Sequence, residues 1–167
     1  MAYRNKVFVS FDGDNDIHYY RLMTAWKQND STPFYFLDAH DINTAYDTSL
    51  ESTIKVRLRE RLRNSKVLIS LIGERTRYLY KFVRWELEQA ISLQMPIIGV
   101  NLNNRRQLDV DRCPPVLRDE LVVYTSFNVK IIQHALEYWP NEFEQLRRNG
   151  QSGSRYYSNE VYSRLGL

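Results

Sequence analysis

Several kinds of residue are scarce in this chain of 167 residues, and each scarcity excludes a class of protein. Cys113 is the only cysteine, so an internal disulfide cannot form and no thiol cluster is available for structural zinc. The histidines His18, His40 and His134 are scattered without ligand spacing, so we expect no metal site. No stretch approaches the roughly 18 apolar residues of a membrane span, and the first residues lead into a strand pattern without a signal-peptide core. We therefore expect a cytoplasmic protein that does not bind a membrane.

The charge of the chain is mildly basic, with a formal net charge of +3 and a pI near 9.0. Basic residues concentrate in the run RLRERLRNSK, residues 57–66, which is a pattern that nucleic-acid-binding proteins also show. On a helix, however, Ile54, Leu58 and Leu62 form an apolar stripe that would face a core and leave the arginines in solvent. The favoured interpretation is a solvated amphipathic helix, and we expect no nucleic-acid partner.

Apolar periods alternate regularly between strand and helix spacing along the chain. Residues 66–73, KVLISLIG, are almost wholly apolar, as in a strand that is buried on both faces of a parallel sheet. Strands that alternate with helices require right-handed parallel crossovers. The sequence therefore predicts a three-layer α/β domain of flavodoxin-like order, with a central five-stranded parallel sheet. The expected strands are 6–11, 34–39, 66–73, 96–102 and 121–124, and the expected helices are about 16–28, 50–64, a segment that carries Val83 and Leu87, and 128–139.

The chain divides into a domain of residues 1–139 and a carboxyl-terminal segment, 140–167, with one short helix and a polar tail. The tail is either disordered or docks on a partner. Residues 103–120, which contain Pro114 and Pro115, are expected to be a surface connection.

Three carboxylates follow the first strand in VFVSFDGDND, residues 7–16, and allow three interpretations. Asp12 and Asp14 could serve a phosphotransferase with Mg²⁺, or the acidic pocket of a phosphoacceptor receiver domain. The phosphotransferase needs a further carboxylate at a later strand end, but the fourth strand ends in VNLN without an acid. The receiver needs an aspartate at the end of the central strand, and KVLISLIG has none. The third interpretation, that Asp14 and Asp16 cap the next helix, is stronger, because free N–H groups and the helix dipole favour carboxylates there. Asp12 remains free to line the crevice at the carboxyl ends of the strands.

Glu86 is the second acidic position that could act in a site. It lies one turn after Phe82 and one turn before Ala90, at the edge of an apolar stripe, so its carboxylate could point into the crevice mouth. Glu88, two positions on, should point to solvent. The alternative is a surface glutamate paired with a nearby arginine or lysine, and spacing alone favours that alternative.

A longer pattern is specific to one family. It runs from KVFVSF through FYFLDAHDIN and LRERLRNSKVLISLIGERT to KFVRWELEQAISLQMPIIGVNL, and its most specific part is Ile72-Gly73-Glu74-Arg75-Thr76 followed by Phe82-Val83-Arg84-Trp85-Glu86-Leu87. This pattern, over about residues 5–139, resembles the bacterial TIR-like family that includes the ThsB sensor of the Thoeris anti-phage system. Two departures are Phe82, where tryptophan is more usual, and Arg75, where a small polar residue is more usual.

The resemblance implies a flavodoxin-like TIR fold and cleavage of the nicotinamide–ribose bond of NAD⁺ with one essential glutamate, which is Glu86 here. Ser10, Phe11, Asp12, Thr76 and Phe82 are the expected NAD⁺-binding residues. NAD⁺ is the substrate, and no other cofactor is expected. The resemblance also implies a cyclic or conjugated ADP-ribose product that activates a separate effector, and self-association in the active state, for which the loop HDINTAYDTS, residues 40–49, is the candidate contact.

Two rival functions remain open at this stage. One is a TIR-type interaction module that assembles partners and does no chemistry. The other is a phosphotransfer or receiver domain that uses Asp12 and Asp14.

Overall fold

The computed structural model describes residues 6–29, 35–37 and 51–167, and these form a three-layer α/β domain around one parallel sheet. The five predicted strands are confirmed, and a sixth joins them at one edge. The strands are β1 (Lys6–Ser10), β2 (Tyr35–Leu37), β3 (Val67–Ile72), β4 (Ile97–Asn101), β5 (Val122–Ser126) and β6 (Ser154–Tyr156). The predicted loop of residues 40–49 lies outside the described residues.

The sheet has the order β2-β1-β3-β4-β5-β6, and every neighbouring pair is parallel. The chain leaves β1 to form β2 on one side and returns to form β3 on the other side. Strand order therefore reverses between β1 and β3, and ligands of open α/β sheets bind beside the carboxyl ends of the strands at such a point.

Helices cover both faces of the sheet. They are α1 (Ile17–Gln28), α2 (Glu51–Arg63), α3 (Val83–Ser92), α4 (Val129–Arg148) and α5 (Asn159–Arg164), with short 3₁₀ turns at Thr76–Tyr78 and Pro115–Leu117. The arginine-rich helix buries Ile54, Leu58 and Leu62 as predicted. Within the described part of the chain, none of the helices combines the length and the apolar character needed to cross a membrane.

Two hydrophobic cores result from strand alternation. Val7 and Val9 of β1 face α1 and α4, whereas Phe8 faces α2 and α3. Tyr20 and Met23 of α1 complete the first core, which we call the α1/α4 core, and α2 and α3 close the second, which we call the α2/α3 core.

The carboxyl-terminal segment differs from the expectation. One helix, α4, runs through Pro140 to Arg148, although a proline inside a helix removes a backbone hydrogen bond. The apolar stripe continues across the proline with Trp139 and Phe143, both buried against the sheet, and this packing outweighs the lost bond. The boundary expected at residues 139–140 thus falls inside α4. The segment expected to be a polar tail adds β6 to the sheet, paired with β5.

The connection between β4 and β5 is also more deeply packed than predicted. Cys113 and Leu117 are fully buried in the α2/α3 core, and the thiol of Cys113 lies 3.3 Å from the hydroxyl of Tyr124. The interpretation of residues 103–120 as a surface connection was wrong at these positions. The error arose because the segment is polar overall, so the two core residues, Cys113 and Leu117, did not form a recognisable apolar pattern.

Gly99, in the middle of β4, is required for the fit of the α2/α3 core. A Cβ atom there would lie 2.6 Å from two ring carbons of Tyr124 and 3.2 Å from the δ-methyl of Ile72. Because the ring is rigid and fully buried, we expect Gly99→Ala to destabilise the protein by about 1–3 kcal/mol in urea denaturation. In a Tyr124→Leu background the same alanine should cost clearly less. Equal costs in both backgrounds would mean that the ring contact is not the cause.

Tyr162 of α5 anchors the carboxyl-terminal segment to the sheet. Its buried hydroxyl accepts a hydrogen bond from the backbone N–H of Ser126 at 3.2 Å, and the guanidinium of Arg106 lies 4.0 Å from its ring centroid. Tyr162→Phe should lower the free energy of unfolding by about 1–3 kcal/mol, because the buried N–H loses its acceptor. Tyr156→Phe, at an exposed position of β6, is the control and should change it little. Equal effects of the two changes would contradict the anchoring role.

Candidate functional site

Glu86 lies in the first turn of α3, against the end of β1. Its side chain belongs to a residue that is only 6% exposed, so the surface-glutamate alternative was wrong. Arg84, one of the cations that this alternative would pair with Glu86, instead donates a hydrogen bond to Glu88 at 2.9 Å. Glu88 is exposed, as predicted.

Burial dominates the electrostatics of Glu86. Desolvation raises the pKa of its carboxyl group from 4.5 to about 8, and the nearby Ser10 hydroxyl acts in the opposite direction. Among the residues that the structure describes, no positively charged group is paired with this carboxylate. A buried carboxyl group without a cation is an arrangement that often marks a functional site.

A row of small or polar residues crosses the sheet beneath α3. Ser10 of β1 pairs with Ser70 of β3, Ser70 with Gly99 of β4, and Gly99 with Tyr124 of β5. The hydroxyls of Ser10 and Ser70 are both buried and have no hydrogen-bond partner of ordinary geometry within the described residues. We call Ser10 and Glu86 the Glu86 site.

The three carboxylates after β1 have roles that differ from the prediction. Asp12, expected to line the crevice, accepts hydrogen bonds from the backbone N–H groups of Asp14 at 3.0 Å and Asn15 at 3.3 Å and from the Asn15 side chain at 2.7 Å. It stabilises the turn before α1. Asp14 is exposed, and Asp16, although it is the N-cap residue of α1, makes no capping hydrogen bond with its side chain. The assignment of capping to Asp14 and Asp16 was therefore wrong.

Asp16 instead packs against the end of β3. A Cβ atom on Gly73 would lie 2.2 Å from a carboxylate oxygen of Asp16, so only glycine permits this approach. Burial and the neighbouring Asp12 raise the pKa of Asp16, whereas His18 and Arg112 lower it. The contact joins the loop that follows β1 to the loop that follows β3.

Thr76 and Phe82 both precede Glu86 in the chain. The buried Thr76 hydroxyl accepts a hydrogen bond from the Gly73 N–H at 2.8 Å, so it holds the loop after β3 in shape. Phe82 is half-buried, packs on the α2/α3 core, and accepts the Glu86 N–H at its carbonyl at 2.8 Å. Of the two, Phe82 is the one that the structure brings beside Glu86.

Phe11 lies on the other side of the sheet from Glu86. Because side chains alternate along a strand, Ser10 faces α3 and Phe11 the α1/α4 core, where its ring stacks on Tyr20 at a centroid distance of 4.7 Å. The structure thus brings Ser10 to Glu86 and does not bring the Phe11 ring there. The NAD⁺-binding roles of Ser10, Phe11, Asp12, Thr76 and Phe82 stay predictions.

The described residues contain no group of three histidine, cysteine or acidic side chains able to hold a metal ion. Sequence reasoning missed the contact between Asp16 and Gly73, because it depends on how two loops meet. The only signal for it was a glycine directly after a strand that is apolar except for Ser70.

A protein-family model described as "Thoeris protein ThsB, TIR-like domain" matches residues 8–107, more than half of the 167 residues. The matched range begins in β1 and ends after β4, so it includes the whole Glu86 site. Helix α4 and the segment that carries β6 and α5 lie beyond it.

Proposed function

The chain belongs to the family of Thoeris ThsB TIR-like domains, with a TIR-type role in Thoeris defence, and we propose that it cleaves NAD⁺ at the nicotinamide–ribose bond with Glu86 as the essential carboxylate. The observation that carries the proposal is the burial of Glu86 beside the end of β1, at the point where strand order reverses, with no cation paired to it among the described residues.

The chemistry of the bond fits a lone buried carboxylate. Nicotinamide is a cationic leaving group, so its departure needs little acid assistance. The protein must hold the ribose in place and supply negative charge near the cation that develops at C1. Glu86 can do both through the ribose hydroxyls, and Phe82, one turn earlier, can line the nicotinamide side of the site.

Substrate binding and ionisation of Glu86 are linked in this scheme. With a pKa of about 8, the carboxyl group of the free protein is mostly protonated near neutral pH. A bound nicotinamide cation favours the carboxylate, because opposite charges at short range stabilise each other. Binding of NAD⁺ is therefore expected to release a proton.

The products and partners follow from the same proposal. When nicotinamide leaves, a nucleophile of the same molecule or of a second molecule forms a bond to ribose C1 in its place, which gives a cyclic or conjugated ADP-ribose signal. This signal acts on a separate effector in the cytoplasm, and self-association of the chain accompanies activity. The signal, the effector and self-association are all part of the proposal, and the identity of the product is its first test.

The proposal is tested by incubating concentrated purified protein with NAD⁺ and separating the products by chromatography. Release of nicotinamide together with ADP-ribose or an isomer is the expected result. Intact NAD⁺ after incubation of folded protein, both with and without a lysate of phage-infected cells as a source of trigger, would contradict it.

A second candidate is a TIR-type interaction module, favoured by exposed aromatic surface near the 3₁₀ turn. Tyr78 and Tyr80 are 59% and 63% exposed, and Tyr80 borders a cavity of about 230 Å³ that Val83 and Pro115 also line. Such exposed apolar surface is typical of protein contacts. A defence phenotype that survives Glu86→Gln would favour this function over the enzyme.

A further inference from the structure

We propose that Ser10 is a positioning residue for Glu86, whose hydroxyl donates a hydrogen bond to the ionised carboxylate and so stabilises the charged form within the core. The inference rests on the proposed function of Glu86 and assigns a role to a buried hydroxyl on the neighbouring strand.

The Ser10 hydroxyl lies on the side of the sheet that faces the α2/α3 core. Phe8 packs in the α2/α3 core, and Ser10, two residues further along β1, faces the same side of the sheet. Ser10 is 1% exposed and Glu86 6% exposed, so both side chains are shielded from solvent.

The Ser10 hydroxyl has no other use that the structure shows. It has no partner of ordinary hydrogen-bond geometry among the described residues. A buried hydroxyl left unpaired costs about 1–3 kcal/mol relative to a paired one, so a hydrogen bond from Ser10 to the ionised Glu86 carboxylate would remove that cost. A carboxylate is a stronger acceptor than a neutral carboxyl group, and ionisation of Glu86 therefore gives the hydroxyl its partner.

The charged groups on the surrounding elements have other partners and do not stabilise the Glu86 carboxylate in place of Ser10. On α3, Arg84 and Glu88 pair with each other at the surface. On α2, Lys55 and Arg59 lie over the ring of Trp85, each 5.5 Å from its centroid.

On the loop after β1, Asp12 is held by its own turn, and Asp16 lies against Gly73. Burial raises the pKa of Glu86, and among the residues that the structure describes Ser10 is the one side chain that opposes that effect.

Ser70 provides the matched control. It is the register partner of Ser10, faces the same side, is fully buried and also carries an unpaired hydroxyl. No effect of Ser70 on Glu86 is found, so removal of its hydroxyl should leave the titration of Glu86 unchanged.

The experiment is a carbon-13 NMR titration of glutamate side-chain carboxyl groups in the full chain, with the Glu86 signal assigned by its loss in Glu86→Gln. The expected midpoint is about 8 in the wild type. In Ser10→Ala the proton affinity of Glu86 should rise about tenfold, which corresponds to one pH unit, whereas Ser70→Ala should keep the wild-type midpoint. An unchanged midpoint in Ser10→Ala, or equal shifts in both variants, would overturn the proposal.

A second pair of variants keeps the test decisive if Ser10→Ala does not fold. Ser10→Thr and Ser10→Val have the same shape and differ only in the hydroxyl. Threonine should preserve a midpoint near that of the wild type, and valine should raise it. Equal midpoints would overturn the role of Ser10. Because the titration needs no NAD⁺, absence of nicotinamide release would count against the proposed function alone.

Discussion

Replacement of Glu86 by glutamine is expected to reduce the rate of nicotinamide release at least about 100-fold, the range typical for loss of a preorganised electrostatic group. Glutamine keeps the shape of the side chain and removes the negative charge that faces the developing cation. The rate is measured by chromatography at saturating NAD⁺.

The matched control is Glu88→Gln on the same helix. Glu88 is exposed and pairs with Arg84, so its replacement removes an equal charge without altering the Glu86 site. Its activity should stay within about twofold of the wild type, because exposed pairs of this kind contribute little. A Glu86→Gln variant that retains more than a tenth of the activity would place the chemistry on another residue.

A measurement of the stability of Glu86→Gln distinguishes a loss of chemistry from a loss of the fold. The folded protein raises the pKa of Glu86 from 4.5 to about 8, so between these values it binds the proton more tightly than the unfolded chain does. Wild-type stability therefore falls as the pH rises through this window and levels off above it. Glu86→Gln lacks this loss, and its stability relative to the wild type should increase from about pH 5 to about pH 8 in urea denaturation.

The second large effect is the dependence of kcat/KM on pH. The ionised form of Glu86 is the active form, and in the free protein its pKa is about 8. We expect kcat/KM to rise about tenfold per pH unit below that value and to level off above it, a change of about 100-fold from pH 6.

The profile of kcat should have its midpoint at lower pH than that of kcat/KM. The bound nicotinamide cation favours the carboxylate, so the complex ionises more readily than the free protein. Steady-state rates from about pH 5.5 to 9.5 measure both profiles. A value of kcat/KM that is flat between about pH 6 and 8, or that falls with rising pH, would contradict the assignment of Glu86 as an ionised catalytic residue.

Local patterns were sufficient to predict the central part of the fold. The apolar run at Val67–Ile72 encodes a strand buried on both faces, and Ile54, Leu58 and Leu62 encode the buried side of α2. In both elements the apolar residues recur at the spacing of that element, and each residue faces the side that this spacing predicts.

Features that depend on distant contacts were not predictable in the same way. β6 is a short strand with the sequence SRY and no apolar alternation, and it is fixed by backbone pairing with β5. Pro140 is a helix breaker by local rules, yet the packing of Trp139 and Phe143 carries α4 past it.

The candidate site, like the fold, was predictable where it depends on local spacing and not where it depends on distant contacts. Spacing placed Glu86 at the edge of an apolar stripe, but its burial depends on the end of β1, which is distant in sequence. The capping role was assigned to the wrong carboxylates because Asp12, Asp14 and Asp16 all lie close before α1. Only the conformation of the turn decides which carboxylate accepts hydrogen bonds from the free N–H groups.

The most direct measurement of the central claim is nicotinamide release and ADP-ribosyl product in lysates of phage-infected cells that express the wild type, Glu86→Gln or Glu88→Gln at equal levels. Nicotinamide and one new ADP-ribose derivative should form with the wild type and Glu88→Gln and be absent with Glu86→Gln. Equal product with all three proteins, or defence against phage with no loss of NAD⁺ in any of them, would contradict the assignment of this chain as a Glu86-dependent NAD⁺-cleaving enzyme.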